Sequence, residues 1–151
     1  MSAESVFAFS NGLALLSWLA LIASPASAPW TRRVWQITGR AVPLLLSAGY
    51  LLMFVLHWRG QGGFGSPAEV RALFDVPGLL VAGWMHYLAF DLFVGTWMAD
   101  RSQQLGLPHW ATVPLLILTF MFGPVGLLSF MTVSAWRQRQ ARSHIPSGDS
   151  L

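Results

Sequence analysis

Long runs of apolar residues separated by short polar stretches dominate the hydropathy pattern of the chain. They cover residues 5–24, 41–58, 77–99 and 110–136. A helix rises about 1.5 Å per residue, so about 20 apolar residues match the roughly 30 Å hydrocarbon core of a bilayer. The pattern therefore predicts an all-α membrane protein whose four transmembrane helices form an antiparallel bundle.

The first apolar run has a competing interpretation as a cleaved signal peptide. Ala26, Ser27 and Ala28 resemble a small-residue cleavage site, but Glu4 stands where a signal peptide carries positive charge. The acidic residue favours a membrane span. A soluble four-helix bundle is the alternative for the whole chain, although the runs are apolar nearly all round and a soluble helix keeps one polar face.

A helix start signal precedes the third run. Ser66 can cap a helix, Pro67 fits its first turn and Glu69 completes a capping box. Apolar residues at spacings i, i+3 and i+4 follow, which predicts a short helix lying at the membrane surface. Residues 1–136 are thus expected to form one membrane domain, and the basic residues 137–151 a disordered tail.

The composition agrees with a membrane protein and narrows its function. Hydrophobic residues make up 54% of the chain and charged residues 10%, against about 25% charged residues in an average soluble domain. The net charge of +3 comes from nine arginines that stand between the runs and form no continuous face, which argues against nucleic-acid binding. Without cysteine, the chain has neither disulfides nor thiolate metal ligands.

The arginines do not give one orientation for a four-span protein. Arg32 and Arg33 follow the first run, whereas Arg137, Arg139 and Arg142 follow the fourth. With four spans these two groups lie on opposite sides of the membrane, and each favours its own side as the cytoplasmic one. The orientation therefore stays open at this stage.

Polar residues near the middle of the apolar runs are the candidate functional residues. A charged group in the bilayer centre is costly, faces the protein interior and often marks function. Asp91 has such a position in the third run, with His86 and Tyr87 close by. The other runs place Asn11, Tyr50 and Thr119 at similar depth.

Helical spacing divides the third run between two faces. Gly83, Tyr87, Asp91 and Gly95 recur every four residues and form one row. The two glycines leave room on this row for another helix or for a flat hydrophobic ligand. At about 100° per residue, His86 lies about 140° away from Asp91, so no direct hydrogen bond between them is expected.

Each candidate also has a purely structural interpretation. Asp91 would bond to Asn11 or to a tyrosine on another helix, and His86 would be a neutral, packed side chain. Haem ligation by His57 and His86 requires both at one depth, but one is at a run's end and the other near a run's middle. Zinc lacks a ligand cluster of suitable spacing, so no metal is predicted.

Gly123 and Pro124 interrupt the fourth run, which can tilt or bend there. Proline has no N–H, so the carbonyl of Phe120 should lose its helical partner. A donor from a neighbouring helix, such as Tyr50, is expected to satisfy that carbonyl.

The third and fourth runs carry motifs that resemble a known family. The motifs are WMHYLAFDLFVG at residues 84–95, LTF at 118–120 and GPVGLL at 123–128, together with Asn11, Trp18 and RALF at 71–74. They resemble the abscisic-acid-deficiency-four-like family, which includes plant neoxanthin synthase-like membrane proteins. The likeness covers nearly all of the chain except the first loop and the tail.

The resemblance implies an isomerase that acts on the epoxide end group of a carotenoid or related isoprenoid, without a cofactor. Asp91, His86 and Tyr87 are then the candidate catalytic residues. The candidate substrate-binding residues are Asn11, Tyr50, Gly83, Gly95, Thr119, Gly123 and Pro124. The alternatives are a non-catalytic carotenoid-binding or accessory protein, as a homo-oligomer or in a pigment complex, and a scaffold for other enzymes. The lysine-free, arginine-rich composition and the early start of the first run predict a bacterial inner membrane protein.

Overall fold

All regular elements in residues 2–143, the part of the chain described by the computed structural model, are helical. They are α1 (Ala3–Ile22), α2 (Thr31–Gln36), a π-helical turn (Ile37–Ala41), α3 (Val42–His57), α4 (Pro67–Phe74), α5 (Pro77–Gln104), α6 (His109–Phe122) and α7 (Pro124–Ser143). The all-α prediction is confirmed. The predicted tail begins inside α7, and its residues 144–151 lie outside the described residues.

Three helical segments of the described chain are long and apolar enough to cross a membrane: Ala3–Ile22, Thr31–His57 and Pro77–Gln104. The second joins α2, the π-turn and α3 into one rod, so it begins ten residues before the predicted start at residue 41. Arginine can keep its guanidinium in water while its aliphatic stem lies on apolar surface. Arg32 and Arg33 therefore do not end the helix.

Helix α5 is the centre of the fold and packs against α1, α3, α4, α6 and α7. Near the start of α1, the Phe7 ring lies 5.8 Å from the Trp84 ring. Near its end, Trp18 packs onto the surface left by Gly95. The residue numbers of the contacting pairs rise together along the two helices, so α1 and α5 run parallel.

Helix α3 and the π-turn run antiparallel to α5 along their whole length. Gly39 lies against Thr96 at one end, and Gly49 lies against Met85 nearer the middle. The hydroxyls of Thr38 and Thr96 form a buried hydrogen bond of 3.0 Å. Glycine at these contacts lets the two backbones approach closely.

The predicted surface helix is α4, and its start signal is confirmed. The Ser66 hydroxyl accepts a 3.3 Å hydrogen bond from the Glu69 N–H. The Glu69 carboxylate accepts from the N–H of Gly65, one residue before the position expected for a capping box. At the end of α4, the Phe74 ring lies over Gly83 of α5.

The fourth apolar run is broken at Gly123, where α6 ends and α7 begins. Gly123 has φ +31°, a conformation that residues with side chains rarely adopt. Seven residues in a continuous helix span about 10 Å, yet a Cβ at Gly126 would collide with the backbone of Thr119. Helix α7 therefore folds back along α6, and the predicted fourth span is not confirmed.

The hairpin formed by α6 and α7 reaches only to the middle of α5. The Thr119 hydroxyl lies 3.3 Å from the Met98 sulfur, and Gly123 at the tip lies beside Asp91. On the way back, Phe130 packs edge-on against Trp97 at 5.5 Å. Both open ends of the hairpin thus lie near the C-terminal end of α5.

Candidate functional site

The structure divides the candidate residues between two faces of α5. One face carries His86, with Tyr50 and Gly83 beside it. The other carries Tyr87 and Asp91, next to the tip of the α6–α7 hairpin. The angular separation of His86 from Asp91 that the helical spacing predicts is therefore present in the fold.

The His86 face forms a cavity of about 260 Å³ beneath α4. The His86 ring stacks on Phe90 at 4.6 Å and meets the Tyr50 ring edge-on at 5.6 Å. Tyr50 of α3 thus packs against the face of α5 that carries His86. The hydrogen bond expected from Tyr50 to the Phe120 carbonyl is not formed. The cavity is lined by Tyr50, Phe54, Phe64, Val70, Leu73, Phe74, Leu79, Ala82, Gly83 and His86.

Asp91 is buried, with 8% of its surface exposed, at the tip of the hairpin. A Cβ placed on Gly123 would lie 3.4 Å from Asp91 Oδ1 and 3.9 Å from Cε2 of Tyr87. Within the described part of the chain, its carboxyl group makes no hydrogen bond or ion pair. The expected bond to Asn11 or to a tyrosine is therefore absent.

Asn11 has a different partner on α5. Its Oδ1 accepts a 2.7 Å hydrogen bond from Nε1 of Trp84. The Trp84 ring lies 5.2 Å from the Tyr87 ring, so Trp84, Tyr87 and Asp91 follow one face of α5 at spacings i, i+3 and i+7. We call the group Asn11, Trp84, Tyr87, Asp91 and Gly123 the Asp91 notch.

Sequence reasoning missed Trp84 as a member of the notch. A tryptophan in an apolar run is ordinarily assigned to the membrane interface. The available signal was its spacing of seven residues from Asp91, which places both on one face.

The Asp91 notch borders an exposed part of α5. Tyr87 is 37% exposed and Trp84 39% exposed, and both belong to a helix long and apolar enough to cross a membrane. The hairpin covers α5 only as far as Gly123, so the neighbouring part of α5 is left uncovered on this face.

Other candidate residues support the hairpin. Trp18 fills the space beside Gly95 and lies 5.4 Å from the Phe120 ring. Thr119 is fully buried beneath Gly126 and donates to the Leu115 carbonyl at 2.8 Å. Pro124 is the first residue of α7. The room that the glycine row leaves for another helix or a ligand is taken at Gly95 by Trp18 of α1 and at Gly83 by Phe74 of α4.

No group of three or more metal-ligating His, Cys, Asp or Glu side chains occurs among the residues that the structure describes. Comparison with known protein families gives a match to the family described as ABA DEFICIENT 4-like, over residues 5–130. The chain belongs to the ABA4-like family. The matched region of this ABA4-like protein contains both faces of α5 and the hairpin tip. No curated protein and no solved structure matches the chain.

The hydrogen bond between Asn11 and Trp84 is expected to couple α1 to α5. In membrane proteins such bonds average about 0.6 kcal/mol in double-mutant cycles. We expect Asn11→Leu and Trp84→Phe to show that coupling when unfolding in detergent micelles is measured. Trp97→Phe, at the other end of α5, is the matched control and should be additive with Asn11→Leu. Additive effects for the Asn11 and Trp84 pair would contradict the assignment.

Proposed function

We propose that this ABA4-like protein binds a carotenoid or a related isoprenoid within the membrane and isomerises its end group, with Asp91 exchanging the proton. The observation that supports this most is the unpaired Asp91 carboxyl, which lies beside the exposed rings of Trp84 and Tyr87. A buried carboxyl without a partner costs free energy. A purely structural side chain has no reason to carry that cost, whereas an acid–base group must be free to meet its substrate.

The proposed reaction opens an epoxide without net oxidation or reduction. A protonated carboxyl gives its proton to the epoxide oxygen as one carbon–oxygen bond breaks. The resulting carboxylate takes a proton from a carbon of the polyene, whose electrons form the second double bond of an allene. One proton is given and one is taken, so the product has the mass of the substrate and the reaction needs no cofactor. General acid–base groups in a dry site perform such steps.

Within the Asp91 notch, Tyr87 is the second group in this proposal. Its hydroxyl can donate a hydrogen bond to the substrate oxygen, and its ring lies next to the hairpin tip. His86 lies on the other face of α5, where it contacts Tyr50 and Phe90. It could serve the same end group only if the ligand passed around α5, so Asp91 and Tyr87 are preferred.

A non-catalytic role in carotenoid or isoprenoid binding is the second candidate function. The aromatic cavity beneath α4 favours it, because stacked rings suit a flat apolar ligand and no carboxyl group lines that cavity. In this case the protein could be an accessory subunit of a pigment complex or a homo-oligomer. For either function, the arginine-rich and lysine-free composition supports a bacterial inner membrane.

The decisive experiment expresses the full chain in hosts that accumulate different carotenoids, with and without epoxide end groups. Pigments bound to the detergent-purified protein and pigments of the whole membrane are then separated by chromatography, and their molecular masses are measured by mass spectrometry. We expect a bound pigment and a new product of unchanged mass in the epoxide-containing host. Bound pigment without any new product would support the binding role alone. The absence of both bound pigment and new product would contradict both functions.

A further inference from the structure

A groove follows the junction between α5 and the rod formed by α2, the π-turn and α3. It consists of a polar chamber of about 420 Å³ and an apolar chamber of about 380 Å³. The chambers meet at Gly39, Arg40 and Phe93, which line both of them. The groove is separate from the Asp91 notch and from the cavity beneath α4, because it shares no lining residue with either.

The polar chamber carries unpaired positive charge. Arg32 and Arg40 line it, are exposed, and make no ion pair or hydrogen bond with another described residue. Asp100 on the α5 side accepts a hydrogen bond from Gln104 at 2.8 Å. The Nε1 atom of Trp35, which also lines the chamber, is buried without an acceptor in the described part of the chain. Two free guanidinium groups suit a ligand with anionic oxygens.

The apolar chamber extends from Arg40 towards the middle of the membrane. Pro43 and Leu44 line it from α3, and Ala89 and Phe90 line it from α5. The polarity of the whole groove therefore falls with depth, from charged side chains at the helix ends to apolar side chains near the centre. A soluble anion would fill the first chamber only, whereas an anionic amphiphile would fill both.

The π-turn places Arg40 at the point where the chambers meet. A π-turn adds one residue to a helical turn and occurs often at functional sites. Gly39 in this turn lies directly against Thr96, and the bond between Thr38 and Thr96 fixes the contact. The turn and the close approach together hold Arg40 beside α5.

We propose that an anionic phospholipid occupies this groove, with its phosphate at Arg32 and Arg40 and an acyl chain along Pro43, Leu44 and Phe90. Basic pockets between membrane helices bind lipid headgroups by the same combination of charge and apolar contact. The lipid would fasten the rod to α5 at the end where no other helix covers the groove. The inference is independent of the proposed function, since it concerns a different site and a different ligand.

Lipid binding to the purified full chain tests the proposal. The protein is titrated in neutral detergent with phosphatidylglycerol, with phosphatidylcholine of the same acyl chains, and with inorganic phosphate. Binding is measured by native mass spectrometry and by the shift of the melting temperature. We expect phosphatidylglycerol to bind more tightly than phosphatidylcholine, and inorganic phosphate alone to give no shift.

Charge and cavity variants assign the binding to the groove. Each arginine near a headgroup should contribute about fivefold in affinity, so Arg32→Gln with Arg40→Gln should weaken phosphatidylglycerol binding about 25-fold. Arg59→Gln, at the opposite end of the bundle, is the matched control and should leave the affinity unchanged. Ser47→Phe, which fills part of the apolar chamber, should weaken both lipids. Equal affinity for the two lipids, or an unchanged preference in the double variant, would overturn the proposal. A phosphate effect as large as the lipid effect would show a site for free anions instead.

Discussion

Asp91→Asn is expected to abolish product formation while the protein stays folded and keeps its pigment. General acid–base groups contribute about 10²- to 10⁴-fold to a rate, so we expect product in the pigment-producing host to fall by at least about 100-fold. Asparagine has nearly the same shape as aspartate, and an amide is less costly in the membrane than a carboxylate. Product and bound pigment are measured per amount of purified protein.

Three further variants show where the proton exchange takes place. Asp75→Asn changes an exposed carboxyl next to α4, outside the Asp91 notch, and should leave product unchanged. Tyr87→Phe should reduce product less than Asp91→Asn, because it removes a hydrogen bond and not the proton. His86→Gln should have little effect. Normal product from Asp91→Asn would contradict a catalytic Asp91, and a larger loss from His86→Gln would move the chemistry to the cavity beneath α4.

The largest effect on stability is expected from Gly126→Leu. A side chain at this position meets the backbone of Thr119, which cannot move aside as a flexible side chain can. Overpacking of this kind typically costs about 1–3 kcal/mol, occasionally more, and the upper end applies here because α6 and α7 must separate. We expect a lower melting temperature and less monodisperse protein on gel filtration in detergent.

Gly12→Leu is the matched control for Gly126→Leu. Gly12 lies in α1, and a Cβ added there would meet no packed neighbour within 4 Å, so leucine should not lower stability there. The comparison also separates a hairpin from a continuous span. In an unbroken fourth helix, position 126 would be two turns away from Thr119, and leucine would be as well tolerated as at Gly12.

The sequence predicts the helices and the faces of α5 well because both depend on local periodicity. The Ser66 cap of α4 and the separation of His86 from Asp91 follow from spacings within one helix. Contacts between helices are harder to predict from the sequence, since the depth of a residue alone does not determine the face of the helix on which it lies. Tyr50 and Phe120 have similar predicted depths, yet they pack on different sides of α5, Tyr50 against His86 and Phe120 against Trp18.

The hairpin shows a second limit on what can be predicted from the sequence, here from its hydropathy pattern. An apolar segment that enters halfway and returns has the same composition and length as one that crosses completely. Gly123 and Pro124 allow both a bend and a reversal, because the proline removes a backbone donor and the glycine accepts positive φ. The contact of Gly126 with Thr119 decides between them, and helical periodicity does not report it because it exists only when the helix is broken between the two residues.

The reversal at Gly123 also brings the two groups of arginines to one end of the bundle. Because α7 returns to the end from which α6 starts, Arg137 and Arg139 lie at the same end of the bundle as Arg32 and Arg33. Positively charged flanks mark the cytoplasmic side of membrane proteins, so the two groups now agree on one orientation. With that end in the cytoplasm, we expect the groove proposed to bind a phospholipid to lie in the cytoplasmic leaflet and the Asp91 notch to lie towards the opposite leaflet. A substrate that reaches Asp91 would have to come from that outer layer of lipid.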